Sequence, residues 1–412
     1  MKSDALIVGA ELDGLIAATR LLDHGHSVRM LSTGVGSLHY APGGIHVLGY
    51  APDGNGQPLS SPFDALSHLN ENHPYQKIGV GKARAALDWF FGGAGPWAQC
   101  LRSDGNNASA VSPAGLDAPA YGVAWRQATF ECLYGKQAAI VRVRHHRDFP
   151  AELLALELGK KGVDASIVDI DAPGLVVENA GLARAFDALE DSDIYFSGLK
   201  SQIPDGTEVV LFPAVLGLSE HSRILAALER ALAIPCLEVP TLPPSIPGMR
   251  LQSAFEHALN DRGVIIHTGV HIERPCIAGG RFVSLVDDRG RSHDASVIVI
   301  STGGILMGGL DVDSHGAVHE TTLGLDVYQS EPLNALSVDR SLSALHVAGV
   351  ATDGDLRPLS DGSTAYENVF VTGRTLAHWN PAEESSAEGV SIATGWVAAE
   401  AAHAYLGATG DG

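Results

Sequence analysis

Residues Asp4 to Gly14 read DALIVGAELDG, and this stretch decides the fold. Asp4 to Val8 is a short apolar run, Gly9 to Gly14 a glycine-bounded turn, Leu15 to Leu22 a helix-like segment, and Ser27 to Leu31 a second strand. Together they make a βαβ unit of the kind that binds dinucleotides. In a G-x-G-x-x-G turn the first glycine makes the bend, the second lets phosphate approach the backbone, and the third lets helix and strand pack closely. Here Gly9 and Gly14 are kept, but Glu11 stands at the point of closest phosphate approach. Two unit charges about 6 Å apart, at an effective dielectric of about 20, repel by roughly 3 kcal/mol, or about a hundredfold in affinity. The acid that holds an adenosine ribose at the end of the second strand is also missing, since Leu31 is followed by Ser32 and Thr33. That absence argues against NAD and FAD more than against FMN, and against a nicotinamide-dependent dehydrogenase. The unit read by itself also suits a plain folding element with a vestigial pocket.

Further strands and helices follow outward from this unit. Glu208 to Phe212 (EVVLF) reads as a strand leading into a helix from Ser219 to Ala233, whose Ile224, Leu225, Leu228 and Leu232 share one face, with Ser219 as the expected N-cap. From Val264 the chain reads as a strand meander running into Thr302-Gly303-Gly304, NVFVTG ends at Gly373, and an Ala-rich helix spans about Val390 to Leu406. The expected fold class is α/β: a Rossmann-like parallel sheet of FAD/NAD(P)-binding type with a strand meander, plus an inserted second domain. Residues 1–55 and 245–412 would form the nucleotide-binding domain, and 56–244 a substrate or subunit-contact domain.

The chain has 412 residues, 45% of them hydrophobic, enough for one large or two medium domains. A formal charge of -21 repels nucleic acid and anionic lipid and leaves no basic footprint for either. The apolar run before Glu11 is too short for a signal-peptide core, and no uninterrupted apolar stretch has spanning length. The expected location is cytoplasmic, without direct membrane insertion. Cys100, Cys132, Cys236 and Cys276 form no C-x-x-C pair, so neither an iron–sulfur run nor any other metal site is expected.

Six stretches in order resemble the B subunits of anaerobic glycerol-3-phosphate dehydrogenase. They are SLHYAPGGIHVLGYAPDG (Ser37 to Gly54), NHPYQKIG (Asn72 to Gly79), PTLPPSIPGMRLQ (Pro240 to Gln252), STGGILMGGL (Ser301 to Leu310), LGLDV (Leu323 to Val327) and ATDGDLRP (Ala351 to Pro358). The proline-rich stretch is the most specific of them. The resemblance implies a flavin, FMN or FAD, and oxidation of glycerol 3-phosphate to dihydroxyacetone phosphate. It also implies a catalytic A subunit, together with an iron–sulfur C subunit that passes electrons to membrane quinone, and places this chain peripheral to the inner membrane through that complex.

The residues expected around the cofactor are Gly9, Glu11, Gly14, Ser32, Gly303, Gly373, Glu388 and Gly389. Arg250, Arg357 and Arg374 lie on or beside the shared motifs and are candidates for a substrate or cofactor phosphate, because a planar guanidinium binds phosphate bidentately. His39 is the candidate general base, since imidazole titrates near working pH. Two departures bear on catalysis. The glycine run that ends related proteins, where a helix N-terminus faces the flavin, is here Trp379 to Val390 with Gly389 as its sole glycine, and Glu388 would set a carboxylate beside the reduced ring. The same acids also suit an ordinary helix cap. A G-T-x-R stretch expected between Ser112 and Trp125 is absent. The alternative function is therefore a flavin-free scaffold that stabilises the catalytic partner and links it to the iron–sulfur one.

Overall fold

The computed structural model describes residues 3–51, 56–93 and 95–410; Pro52 to Gly54, the tail of the first shared motif, and the expected boundary at 55 lie outside them. The chain divides into two units: Met1–Ser37, His46–Ala98 and Ala254–Gly412 form the first, and Leu38–Ile45 with Gln99–Ser253 the second.

In the first unit, strand Ser3–Val8 lies between Val28–Ser32 and Ser292–Ile300, parallel to both, with Val8 opposite Leu31 on one side and Ile300 on the other. Ile266–Thr268 extends the sheet beyond Val28–Ser32, and Val369–Val371 pairs parallel with Ser292–Ile300. Ile272–Ala278, Arg281–Asp287 and Ser292–Ile300 form the antiparallel meander. Ala5, Leu6 and Ile7 are wholly buried, as a parallel strand covered on both faces requires.

The turn after the first strand depends on two glycines. Gly9 has a φ of +110°, and a Cβ there would lie 1.6 Å from the Ser301 carbonyl oxygen. The following helix, Leu12–Asp23, packs on the C-terminal helix Ala387–Gly410, and they approach so closely that a Cβ on Gly395 would sit 2.3 Å from the Asp13 carbonyl oxygen. Val390, Ile392, Ala393 and Val397 are almost fully buried, each large side chain contributing roughly 1.5–3 kcal/mol. Gly395→Ala is expected to push these helices apart and to cost about 2 kcal/mol by overpacking, read as a lowered urea midpoint.

The second unit holds a four-stranded parallel sheet in the order Cys236–Val239, Val209–Pro213, Gln137–Val143, Asp164–Ile170. The expected helix is present over His221–Leu232, with Ile224, Leu225, Leu228 and Leu232 buried. Ser219 does not cap it: Glu220 occupies that position, and the Asp187 carboxylate takes the N–H groups of Leu218, Ser219 and Glu220.

The division between units also falls later than the composition suggested. Helix Val80–Phe91 belongs to the first unit, with Ala83, Ala86, Leu87 and Phe90 buried, and Phe90 and Trp97 both stack on Phe255. Those contacts join segments far apart in sequence, which no local composition shift marks. Among the described residues no helix is long and apolar enough to cross a membrane.

Candidate functional site

The turn at the end of the first strand opens onto a cavity of about 210 Å³ whose walls include Gly9, Glu11, Ser32, His271, Thr302 and Met307. Gly9, Glu11 and Ser32 thus share one cavity lining. Gly303 adjoins them, because a Cβ there would come within 3.0 Å of the Glu11 carboxyl carbon. Gly14 lies beneath the turn, tight against the Ser301 hydroxyl. The Ser32 hydroxyl is turned back onto Gly34, donating to its carbonyl at 2.7 Å and accepting from its N–H at 3.2 Å.

Glu11 is only 5% exposed. It accepts hydrogen bonds from the Ser37 backbone N–H, at 3.0 and 3.1 Å, and from the Ser37 hydroxyl. Burial pushes its pKa up to about 7; the Ser37 bonds and the positive charge of Arg374 oppose that rise, and Asp13 adds to it. A buried carboxyl with so few donors stays charged only at a cost, so near neutrality it is poised between protonated and ionised.

Asp13, which sequence reasoning passed over, lies fully buried beneath the same turn. It accepts from the Thr372 hydroxyl at 2.6 Å, and burial raises its pKa. Gly373, at a φ of +59°, is packed on it: a Cβ there would fall 2.5 Å from an Asp13 oxygen. An acid inside an otherwise apolar helix face was the available signal.

Glu388 and Gly389 lie at the start of the C-terminal helix, and their surroundings differ from expectation. The Glu388 carboxylate accepts from His46 Nδ1 at 2.8 Å and from the His46 N–H at 3.3 Å. Burial alone would raise its pKa, but His46, with help from Arg374, holds it below the usual range. Gly389 donates its N–H to the His46 carbonyl at 2.9 Å, and a Cβ on it would meet the Tyr75 hydroxyl at 2.3 Å and Val47 Cα at 2.6 Å. Gly389 therefore faces the chain's own backbone instead of an open ring seat. The neighbouring Glu384 accepts from His73 Nε2 at 3.0 Å, while Asn380 caps the short helix before it. Glu384 and Glu388 thus pair with histidines, which sequence reasoning did not connect because the partners lie some three hundred residues away. His46→Gln, which leaves Glu388 buried without its charge-assisted partner, is expected to cost about 1.5 kcal/mol in urea unfolding.

The three arginines separate clearly. Arg250 holds Glu238 bidentately at 2.7 and 3.1 Å and donates its Nε–H to the Gly217 carbonyl, so its fork is already engaged by a carboxylate. Arg357 bonds Asp353 at 2.8 Å and Glu367 at 2.5 Å, with Asp355 at 3.6 Å. Both expectations are corrected for the same reason: in an acidic chain a nearby carboxylate takes the guanidinium. Arg374 differs. Among the described residues it forms no ion pair, yet its charge is felt by Glu11, by Glu388 and by His346. Its side chain lines a second cavity, of about 90 Å³, together with Gly303, His346 and Trp379. The two acids flagged by sequence thus share one electrostatic neighbour. His39 closes a short turn, Ser37–His39, and its carbonyl accepts from the Ser245 N–H at 2.7 Å. Among the described residues no group of three or more His, Cys, Asp or Glu side chains is placed to hold a metal ion.

A family model described as "FAD binding domain" matches residues 4–390. The chain is 32% identical to a probable anaerobic glycerol-3-phosphate dehydrogenase B subunit of Halobacterium salinarum, over 98% of each chain. It is 30% identical to the B subunit of Yersinia enterocolitica, over 97% of this chain and 98% of that one. For Vibrio cholerae the identity is 28%, over 97% and 96%. Among solved structures, 3-ketosteroid delta1-dehydrogenase from Sterolibacterium denitrificans covers 98% of this chain and 100% of its own, with a TM-score of 0.46 and 12% identity.

Proposed function

The chain belongs to the family of anaerobic glycerol-3-phosphate dehydrogenase B subunits and carries its FAD binding domain, and from that premise we propose that it is the flavin-bearing subunit of a glycerol-3-phosphate:quinone oxidoreductase. It would take part in oxidising glycerol 3-phosphate to dihydroxyacetone phosphate, beside a catalytic A subunit, with electrons passed through an iron–sulfur partner to membrane quinone. Its place would be cytoplasmic and peripheral to the inner membrane. The observation that carries this reading is a nearly full-length match to B subunits, in a chain whose phosphate-binding turn still opens onto a cavity.

The residues present fit the phosphate side of a flavin nucleotide on one condition, while the acid that would hold an adenosine ribose is missing after Leu31. The glycine cradle is intact at Gly9, where any side chain would strike Ser301, and the cavity continues past Ser32 and His271. Glu11 accommodates a phosphate well when it carries a proton, and as a carboxylate it would weaken binding about a hundredfold. At the helix N-terminus near Glu388 and Gly389 the fit is poorer, because His46 and Val47 pack against it.

A bound flavin would supply a two-electron acceptor. For the chain's own part, backbone N–H groups of the Gly9 turn would orient the cofactor phosphates, and Ser37 would hold the Glu11 carboxyl aside. Arg374, the one motif arginine left without a carboxylate partner among the described residues, would meet a phosphate. His39 is the proposed proton acceptor. The purified chain, alone or with co-expressed partner subunits, is expected to be yellow and to bleach anaerobically with glycerol 3-phosphate. A colourless preparation that takes up neither FAD nor FMN would overturn the proposal. The tight packing at Gly389 favours the second reading, a flavin-free scaffold joining the other subunits, and that colourless result is what it requires.

A further inference from the structure

Two of the shared motifs, NHPYQKIG and ATDGDLRP, supply His73, Tyr75 and Arg357 to the contacts above, and the fold brings other polar residues of the same motifs together. They meet at a cavity of about 80 Å³ whose polar lining comes from Asn72, Lys77, Thr352 and His378. The space is small beside the cavity of about 210 Å³ at the Gly9 turn, and suits a small ligand.

What lines this space is rich in donors. Among the described residues the Lys77 ammonium, the Asn72 amide and the Thr352 hydroxyl have no hydrogen-bond partner, and Lys77 has no carboxylate within ion-pair reach. Thr352 is 6% exposed, and its hydroxyl keeps contact with the open space beside it. An ammonium group with an amide, a hydroxyl and an imidazole around one small space makes a complementary seat for an anionic ligand that accepts hydrogen bonds. The adjacent acids are already engaged: Asp353 by Arg357 and by backbone N–H groups, and Asp355 by Lys82 and Arg357. In a chain of net charge -21 an unpaired lysine facing a cavity is unusual.

The backbone adds a separate sign. His378 has a φ of +68°, a strained conformation for a residue other than glycine, and it is held there by its N–H to the Val347 carbonyl at 3.0 Å and by its ring against Tyr328 at 4.0 Å between centroids. Strain of this kind persists where the surroundings enforce it and clusters at ligand sites. Burial, and then the charge of Lys77, lower the His378 pKa, so the imidazole offers a neutral N–H that an arriving anion would help to protonate.

We propose that Asn72, Lys77, Thr352 and His378 form a binding site for a tetrahedral oxyanion: inorganic phosphate or the phosphoryl end of a small phosphomonoester. The site is independent of the cofactor, so it stands or falls separately from the flavin reading.

The test is calorimetric titration of the full chain with inorganic phosphate, with glycerol 3-phosphate, and with glycerol as the uncharged control. Saturable one-site binding of a phosphate-bearing probe is expected, weakened about tenfold or more in Lys77→Met and in the near-isosteric Thr352→Val, and unchanged in Lys82→Met. Equal affinity for the two anions would identify the bare phosphoryl group as the ligand; preference for the ester would identify the phosphomonoester. The proposal is overturned if neither anion binds, if glycerol binds equally well, or if Thr352→Val and Lys77→Met leave the affinity unchanged. Should Lys77→Met fail to fold, Thr352→Val decides alone.

Discussion

Replacing Glu11 with glycine is expected to tighten FAD binding about a hundredfold above neutral pH, the factor obtained for a carboxylate and a phosphate about 6 Å apart at an effective dielectric of about 20. The structure refines the argument in two ways. Glu11 is buried and fixed by Ser37, so it does not swing out to solvent without losing those bonds. Its pKa near 7 makes the repulsion depend on pH. Below that value the carboxyl is protonated and neutral, and the unaltered chain should bind FAD with little penalty. Above it, affinity should fall by up to about tenfold per pH unit until the full repulsion is reached. Glu11→Gln separates charge from bulk: it should remove the pH dependence while keeping the side chain in place. Fluorescence titration of FAD against each protein across pH reads all three outcomes. If glycine at this position leaves affinity unchanged, the carboxylate is not what limits binding.

The second large effect concerns stability. In the unfolded chain Glu11 titrates at its ordinary value of 4.5, and in the folded chain at about 7. The folded state therefore holds the proton more tightly, and between those two values it binds more protons than the unfolded state. Stability falls as pH rises through that window: the penalty is absent below about 4.5 and fully present above about 7. At 1.36 kcal/mol per unit the loss comes to about 3 kcal/mol, a large part of a domain's net stability. Glu11→Gln should erase it, making the variant about 3 kcal/mol more stable than the parent above neutrality and nearly equal to it at acid pH, as read by urea unfolding. Asp13, also buried with a raised pKa, acts in the same direction and interacts with Glu11, so the difference between the two proteins reads the Glu11 penalty together with its coupling to Asp13.

The α/β fold was legible because its signals are local. An apolar run, a glycine turn and an amphipathic helix in DALIVGAELDG specify a βαβ unit within a few residues, and the meander from Val264 is marked by its Gly279-Gly280 and Arg289-Gly290 turns. The cofactor turn was legible for the same reason. Partnerships across the chain were not. Glu388 suits either a charge beside a ring or a helix cap in the sequence, and neither its pairing with His46 nor that of the phosphate candidate Arg250 with Glu238 has a local mark. Arg357 had a local clue, since Asp353 lies four residues earlier in the same loop, but spacing in a loop does not fix direction as it does on a helix. The domain division was missed because aromatic stacking of Phe90 and Trp97 on Phe255 leaves no trace in composition.

Because Gly9 and Gly14 survive while Glu11 stands between them, the cleft is expected to take a flavin dinucleotide tightly when that carboxyl is protonated and about a hundredfold more weakly when it is charged. The direct measurement is FAD affinity of the unaltered full-length chain on either side of neutrality, beside Glu11→Gln. The account expects binding at acid pH that weakens steeply above about 7 in the parent and stays level in the variant. Tight binding of equal strength at every pH in the parent, or no binding at any pH in either protein, would contradict it.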